Sequence, residues 1–300
     1  TDMKEIIHTP VLLQEVLEIF NPWQGQRYID ATVNGGGHAK EILERIGHTG
    51  GLLGIDRDRV IVETLKNNVH EQKNFTVICD SYARMKMQAM QYGFGSVNGI
   101  LFDLGFSSYH VDQSGRGFSF QRDEPLDMRY NPAEIKLPAA TIINTWSKEE
   151  LERIFKEYGE ERFSRRIAAA IVSARKEHQF RTTSELVHII RKNIPLSLQR
   201  RNLHPATRIF QALRIAVNDE LGELRQGLEQ GIDLLVKDGK MLVISFHSLE
   251  DGMVKEMFKK KEKEGIGRIL IKKPICANRE EQRINPRSRS AKLRAIIKIN

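Results

Sequence analysis

The alternation of short apolar runs with helical patterns across the first hundred residues constrains this chain more than any other feature. Tyr28–Asp30, Gly51–Asp56, Phe75–Cys79 and Gly99–Asp103 are short, nearly continuous apolar runs and read as buried strands. Between them, Ala39–Ile46, Val60–Val69 and Ser81–Tyr92 carry apolar residues at helical spacing. Such a β-α-β-α order implies a parallel sheet wound by crossover helices, with ligands expected at the carboxyl ends of the strands. Three of the four runs close on an acid, Asp30, Asp56 and Asp103, and the third is followed by Asp80.

Past Asp103 the rhythm changes. From about Gln113 to Arg208 there are helical patterns, at Lys148–Tyr158, Arg162–Lys176 and Ser184–Lys192, and no convincing strand. The parallel pattern resumes with a helix expected over Thr207–Gln230, a turn at Asp238-Gly239 and a strand over Lys240–Ser245. A helix over Leu249–Lys263 and two late strands, Arg268–Lys272 and Lys292–Lys298, complete the chain. The economical reading is an α/β domain, residues 1–112 and 209–300, interrupted after its fourth strand by a helical domain, residues 113–208.

Charge is unevenly placed along this framework. The formal net charge is +8, yet Met253–Asn300 holds 15 Lys/Arg against 5 Asp/Glu, which leaves the rest of the chain at −2. A basic end suits a polyanion such as nucleic acid, and a solvated lysine-rich face is the plain alternative. Two isolated cysteines, Cys79 and Cys276, exclude a disulfide framework or a cysteine-rich zinc site and suit a reducing compartment. No stretch has the roughly 20 apolar residues of a membrane span, and the N-terminus lacks the features of a signal peptide. The expectation is a soluble cytoplasmic protein with no membrane partner.

The segment Asp30-Ala-Thr-Val-Asn-Gly-Gly-Gly-His38 follows the first strand and opens a helix. Consecutive glycines let the backbone approach a ligand, and the helix start offers unpaired N–H groups. It is neither G-x-G-x-x-G nor a P-loop. With Asp56 26 residues after Asp30, where a ribose-binding acid belongs, the pattern admits NAD or S-adenosylmethionine. Asp30 favours the second, because it would repel a pyrophosphate and attract a sulfonium or ammonium. Ser245-Phe-His247-Ser-Leu-Glu-Asp251 holds hydrolase residue types without a nucleophile elbow; Ser248 to Asp251 fits a helix capping box, and no metal site is expected.

Eleven motifs occur in order: His8-Thr-Pro-Val-Leu-Leu13, the Asp30–His38 loop, Gly54-Ile-Asp-Arg-Asp58, Asp103-Leu-Gly-Phe-Ser-Ser108, Arg116-Gly-Phe-Ser-Phe120, Pro125-Leu-Asp-Met-Arg129, Tyr158-Gly-Glu-Glu-Arg162, His204-Pro-Ala-Thr-Arg208, Phe210-Gln211, Ser245–Asp251 and Asn285-Pro-Arg-Ser-Arg-Ser290. Together they make nearly the whole chain resemble the bacterial RsmH (MraW) family. The resemblance implies a class I, Rossmann-like, S-adenosylmethionine-dependent methyltransferase with an inserted α-helical domain. Its implied substrate is the N4 amine of a decoding-centre cytidine in 16S rRNA of the small ribosomal subunit, and S-adenosylhomocysteine is the implied product. A homodimer stays open. The implied donor contacts are Gly36, Gly37, His38, Asp56, Tyr82, Asp103 and His110, with Asp103 also catalytic. Two positions depart from the family pattern: His110 stands where a Gln is usual, and Asn34 where a Gly is common.

The N4 amine is a weak nucleophile, so Asp103 is expected to orient it toward the sulfonium methyl, alignment and electrostatics doing most of the catalysis. The target base must be unstacked. Phe118 and Phe120 are candidates for stacking on it or for the core. Arg116, Arg129, Arg287, Arg289 and Arg294 are candidates for phosphate contacts, Arg129 alternatively pairing with Asp127. An NAD-dependent oxidoreductase and a non-catalytic RNA-binding assembly factor are the rival readings.

Overall fold

The computed structural model describes residues 10–69, 72–195 and 204–300. His8 and Thr9, which open the first motif, lie outside the described residues. The chain divides into two compact units, one formed by the chain up to Ser107 with Leu221–Asn300, the other by Ser108–Glu220.

The first unit is built on seven strands: β1 Arg27–Asp30, β2 Gly51–Asp56, β3 Phe75–Cys79, β4 Val97–Asp103, β5 Leu235–Ser245, β6 Gly267–Ile269 and β7 Lys292–Lys298. They form a single sheet in the order β3-β2-β1-β4-β5-β7-β6. The first five are parallel, and β7 runs antiparallel to both β5 and β6. Strand order reverses between β1 and β4, which makes their carboxyl ends the topological switch point where open α/β sheets bind ligands.

Both faces of the sheet are covered, which is why its strands read as continuous apolar runs. Helices α1 Leu13–Phe20, α2 Gly37–Ile46 and α3 Arg59–Asn68 pack Val16, Phe20, Ile42, Ile46 and Leu65 against Tyr28, Leu52 and Leu101. On the other face α4 Met85–Gln91 and the helices Glu220–Leu234 and Ser248–Lys263 bury Met85, Leu228 and Phe258 against Ile29, Leu53 and Phe102. Gly99 lets β4 lie close to β1, because a Cβ there would sit 2.3 Å from the Tyr28 ring.

The second unit is helical, comprising Ser108–Asp112, Ala139–Thr145, Lys148–Glu157, Ser164–Ala174, Thr183–Asn193 and Thr207–Asn218. Among its described residues the one β pairing is an isolated bridge, Pro125 to Thr182. Ile142, Leu151, Phe155, Ile167 and Leu213 form its core.

Three local expectations are corrected. The helix expected over Thr207–Gln230 is two helices, broken where exposed Asp219 adopts a left-handed conformation (φ 49°). Beside the break, the buried Asn218 side chain accepts from Tyr130 N (2.9 Å) and donates to Met128 O (2.8 Å). The turn at Asp238-Gly239 lies within β5, where Asp238 has φ 63° and the pairing with β4 shifts register. Finally, the strand expected over Arg268–Lys272 is only Gly267–Ile269.

Candidate functional site

Register places the three strand-end acids together. Asp30 is level with Gly54 on β2 and Leu101 on β4, and Asp56 and Asp103 each lie two residues further along. Side chains alternate faces with period two, so all three carboxyls project from the same sheet face, the one covered by α1, α2 and α3. Asp30 and Asp103 are buried, at 1% and 4% exposure, and Asp56 is half-buried.

The glycine loop is tied into this cluster by its own backbone. Val33 N donates to Ile55 O (2.9 Å) and Ala31 N to Leu101 O (2.8 Å), so the loop continues both ladders past the end of β1. Thr32 N donates to Asp30 Oδ1 (3.2 Å), and Thr32 Oγ1 accepts from Asp103 N (2.6 Å). Asp56 accepts from Asn34 N (3.0 Å) and from Asp58 N (2.9 Å), one bond on each oxygen. Gly36 caps α2 with φ 80° and no side-chain bond to the first turn, and a Cβ there would meet Leu65 Cδ1 at 2.9 Å. Only glycine combines that conformation with that contact. Gly37 begins the helix, whose first turn has no side-chain cap.

His38 turns inward. Its Nε2 donates to Val11 O (3.0 Å), and its Nδ1 stands 3.6 Å from Asp103 Oδ2. The ring therefore links the segment before α1 to the Asp103 carboxylate. Tyr82 opens a short 3-10 helix after β3, edge-on to Phe102 at 5.5 Å between ring centroids. That helix is braced by Ser81 Oγ donating to Glu223 Oε2 (2.8 Å), which also receives Arg57 Nη1 (2.8 Å). Thr32 and Glu223 are positioning residues that sequence reasoning missed; Glu223 is 166 residues from Arg57, and no local pattern joins them.

Burial pushes the Asp30 carboxyl up to about 8, against the Thr32 N–H and with reinforcement from the Asp103 and Asp56 charges. Six expected donor contacts, Gly36, Gly37, His38, Asp56, Tyr82 and Asp103, lie in the first unit. His110 lies in the second, 3% exposed, with ring centroids 5.0 Å from both Phe118 and Tyr130.

The phosphate and stacking candidates fall in different surroundings. Arg294 is buried, its Nε 2.6 Å from Asp251 Oδ1, and Lys292 Nζ reaches the other oxygen at 3.2 Å. Arg129 makes a two-point contact with Asp127 (2.8 and 2.6 Å), and Arg116 Nη1 donates to the carbonyls of Arg129 and Tyr130. Phe118 is a core residue stacked on Tyr130 at 5.3 Å, whereas Phe120 is half-buried and stacked on His204 at 4.4 Å. Arg289 is exposed and Arg287 half-buried on the turn Pro286–Ser290. The expected Ser248 cap is displaced by one residue: His247 caps the helix Ser248–Lys263 reciprocally with Glu250. Ser245 Oγ donates to Lys292 O (3.4 Å), so this segment is spent on folding.

An open sheet with an acid-rimmed switch point, a glycine loop and an uncapped helix start defines a Rossmann-like domain suited to a ligand carrying positive charge. This chain belongs to the MraW methylase family, whose model matches residues 5–299. It is similar to proteins named Ribosomal RNA small subunit methyltransferase H. The one from Persephonella marina is 46% identical over 293 residues, covering 97% of this chain and 99% of the relative. The one from Clostridium botulinum (strain Loch Maree / Type A3) is 44% identical over 310 residues, covering 98% and 100%. That from Symbiobacterium thermophilum is 42% identical, covering 97% and 96%. Among the described residues no helix is long and apolar enough to cross a membrane.

Proposed function

We propose that this chain transfers the methyl group of S-adenosylmethionine to the exocyclic N4 amine of a decoding-centre cytidine in the 16S rRNA of the small ribosomal subunit. Family membership supports methyl transfer to ribosomal RNA, and the eleven ordered motifs support the cytidine amine. The observation that carries the donor site is the convergence of Asp30, Asp56 and Asp103 on one face around the glycine loop.

S-adenosylmethionine supplies an electrophilic sulfonium methyl; the chain supplies position and charge. Gly36 and Gly37 leave the start of α2 open to the donor's carboxylate, and Asp56, at the end of β2, accepts from the ribose hydroxyls. Tyr82 borders the donor. Asp103 accepts an N–H of the amine and favours the pyramidal geometry of attack, while His38 holds Asp103 in place. The helical unit reads the RNA around the target, and Arg287 and Arg289 contact phosphate.

Unmethylated small subunits incubated with the protein and S-adenosylmethionine should gain a methyl on N4 of one cytidine, located by mass spectrometry. Asp103→Ala should lower turnover at least about a hundredfold without lowering the melting temperature. A methyl on another atom, or near wild-type turnover in Asp103→Ala, overturns the assignment.

A further inference from the structure

The donor and the product of methyl transfer differ by one charge: S-adenosylmethionine has a sulfonium, S-adenosylhomocysteine a neutral thioether. A site that turns over must bind the first and release the second, although nearly every other atom is shared. Asp30 stands at the carboxyl end of β1, immediately before the glycine loop and beside the switch point, with 1% exposure. Asp56 from β2 and Asp103 from β4 flank it on the same face. His38, from α2, approaches Asp103 Oδ2 at 3.6 Å. Thr32 N supports one Asp30 oxygen at 3.2 Å.

Resting on the donor site proposed above, we infer that Asp30 is the residue that distinguishes donor from product, holding a proton when no cation is present and releasing it when the sulfonium arrives. Three carboxylates on adjacent strand ends repel one another, and the one most removed from water keeps its proton. Burial has pushed this carboxyl up to about 8, so at neutral pH it is mostly neutral. A ligand cation offsets the cost of a buried charge and the repulsion from Asp56 and Asp103, draws the carboxyl into its ionised form, and the proton leaves to solvent. When the methyl has gone, the sulfur is neutral, Asp30 takes a proton back, and the attraction holding the product falls. The side chain thus acts on affinity for one ligand over the other, not on the methyl itself.

Titration calorimetry of the full chain at pH 7, in two buffers of different ionisation enthalpy, measures the protons released. S-adenosylmethionine should release more than S-adenosylhomocysteine, and its affinity should rise by about tenfold or more from pH 6 to pH 8. Asp30→Asn keeps the shape and the Thr32 contact, and subtracts the titration of the ligands' own amines. In that variant the extra release and the pH-dependent preference for donor over product should both disappear. Equal release for the two ligands in the unaltered chain, or an unchanged difference in Asp30→Asn, overturns the inference and leaves the donor site standing. No binding of S-adenosylmethionine at any pH overturns both.

Discussion

The strand-end rim around Asp30 and the edge of the same sheet around Asp251 treat a buried carboxyl in opposite ways. Asp251 lies on the helix Ser248–Lys263; burial pushes its carboxyl up, but Arg294 and Lys292 more than reverse this and leave it below its ordinary value. Burial raises the Asp30 carboxyl as well, and there the neighbouring charges, Asp103 and Asp56, add to the rise instead of reversing it. One arrangement is closed, its charges answered within the fold. The other gathers three acids at the switch point, where the answering charge would come from the donor proposed above. On the proposed reading, the difference separates residues that hold the protein together from residues that make it act.

Asp30→Asn tests the contrast most strongly. A raised carboxyl destabilises the folded chain increasingly as pH climbs from its unfolded value near 4 to its folded value of about 8. The variant should therefore melt higher than the unaltered protein, little at pH 4 and most at pH 8. The gain approaches several kcal/mol, at about 1.4 kcal/mol per tenfold change in the proton equilibrium. A melting difference that is flat across pH 4–8 would show that Asp30 is not strained.

Asp251→Ala should do the reverse, destabilising by about 3 kcal/mol because Arg294 is left buried beside an empty place. The pair's contribution is present above the ordinary carboxylate range and fades as pH falls through the lowered value, so the variant and the unaltered chain should converge on acidification. Donor affinity per folded molecule should not change, and a loss there would blur the two regions. Asp56→Ala should weaken donor binding about tenfold in calorimetry, since it removes the proposed ribose acceptor and the partner of the Asn34 and Asp58 N–H groups. Replacing Arg287 and Arg289 by Gln should have the smallest effect at low salt. It should reduce the slope of log affinity for small subunits against log salt by up to about 2, and an unaltered slope would return that turn to a solvated face.

Much of the rim was legible because its logic is local. Each acid closes an apolar run, the glycines follow the first, and strand alternation puts residues two apart on one face. The C-terminal edge was not. Arg294 read as a phosphate ligand because its partner Asp251 is 43 residues away. Phe118 and Phe120 look equivalent at spacing two, yet one packs in the core and the other stacks on His204. The helix α1 went unread, although Val16, Leu17 and Phe20 have helical spacing, and Val11 just before it receives His38.

The sequence by itself determined the parallel sheet, the succession of its first strands and helices along the chain and the residues at the strand ends, because periodicity and turn chemistry act over a few neighbours, and its ordered motifs carried the family. Tertiary structure decided which charges are answered. Asp30 and Asp251 are the same side chain with the same intrinsic acidity, and only burial and the sign of the groups folded against them set one above and the other below its ordinary value.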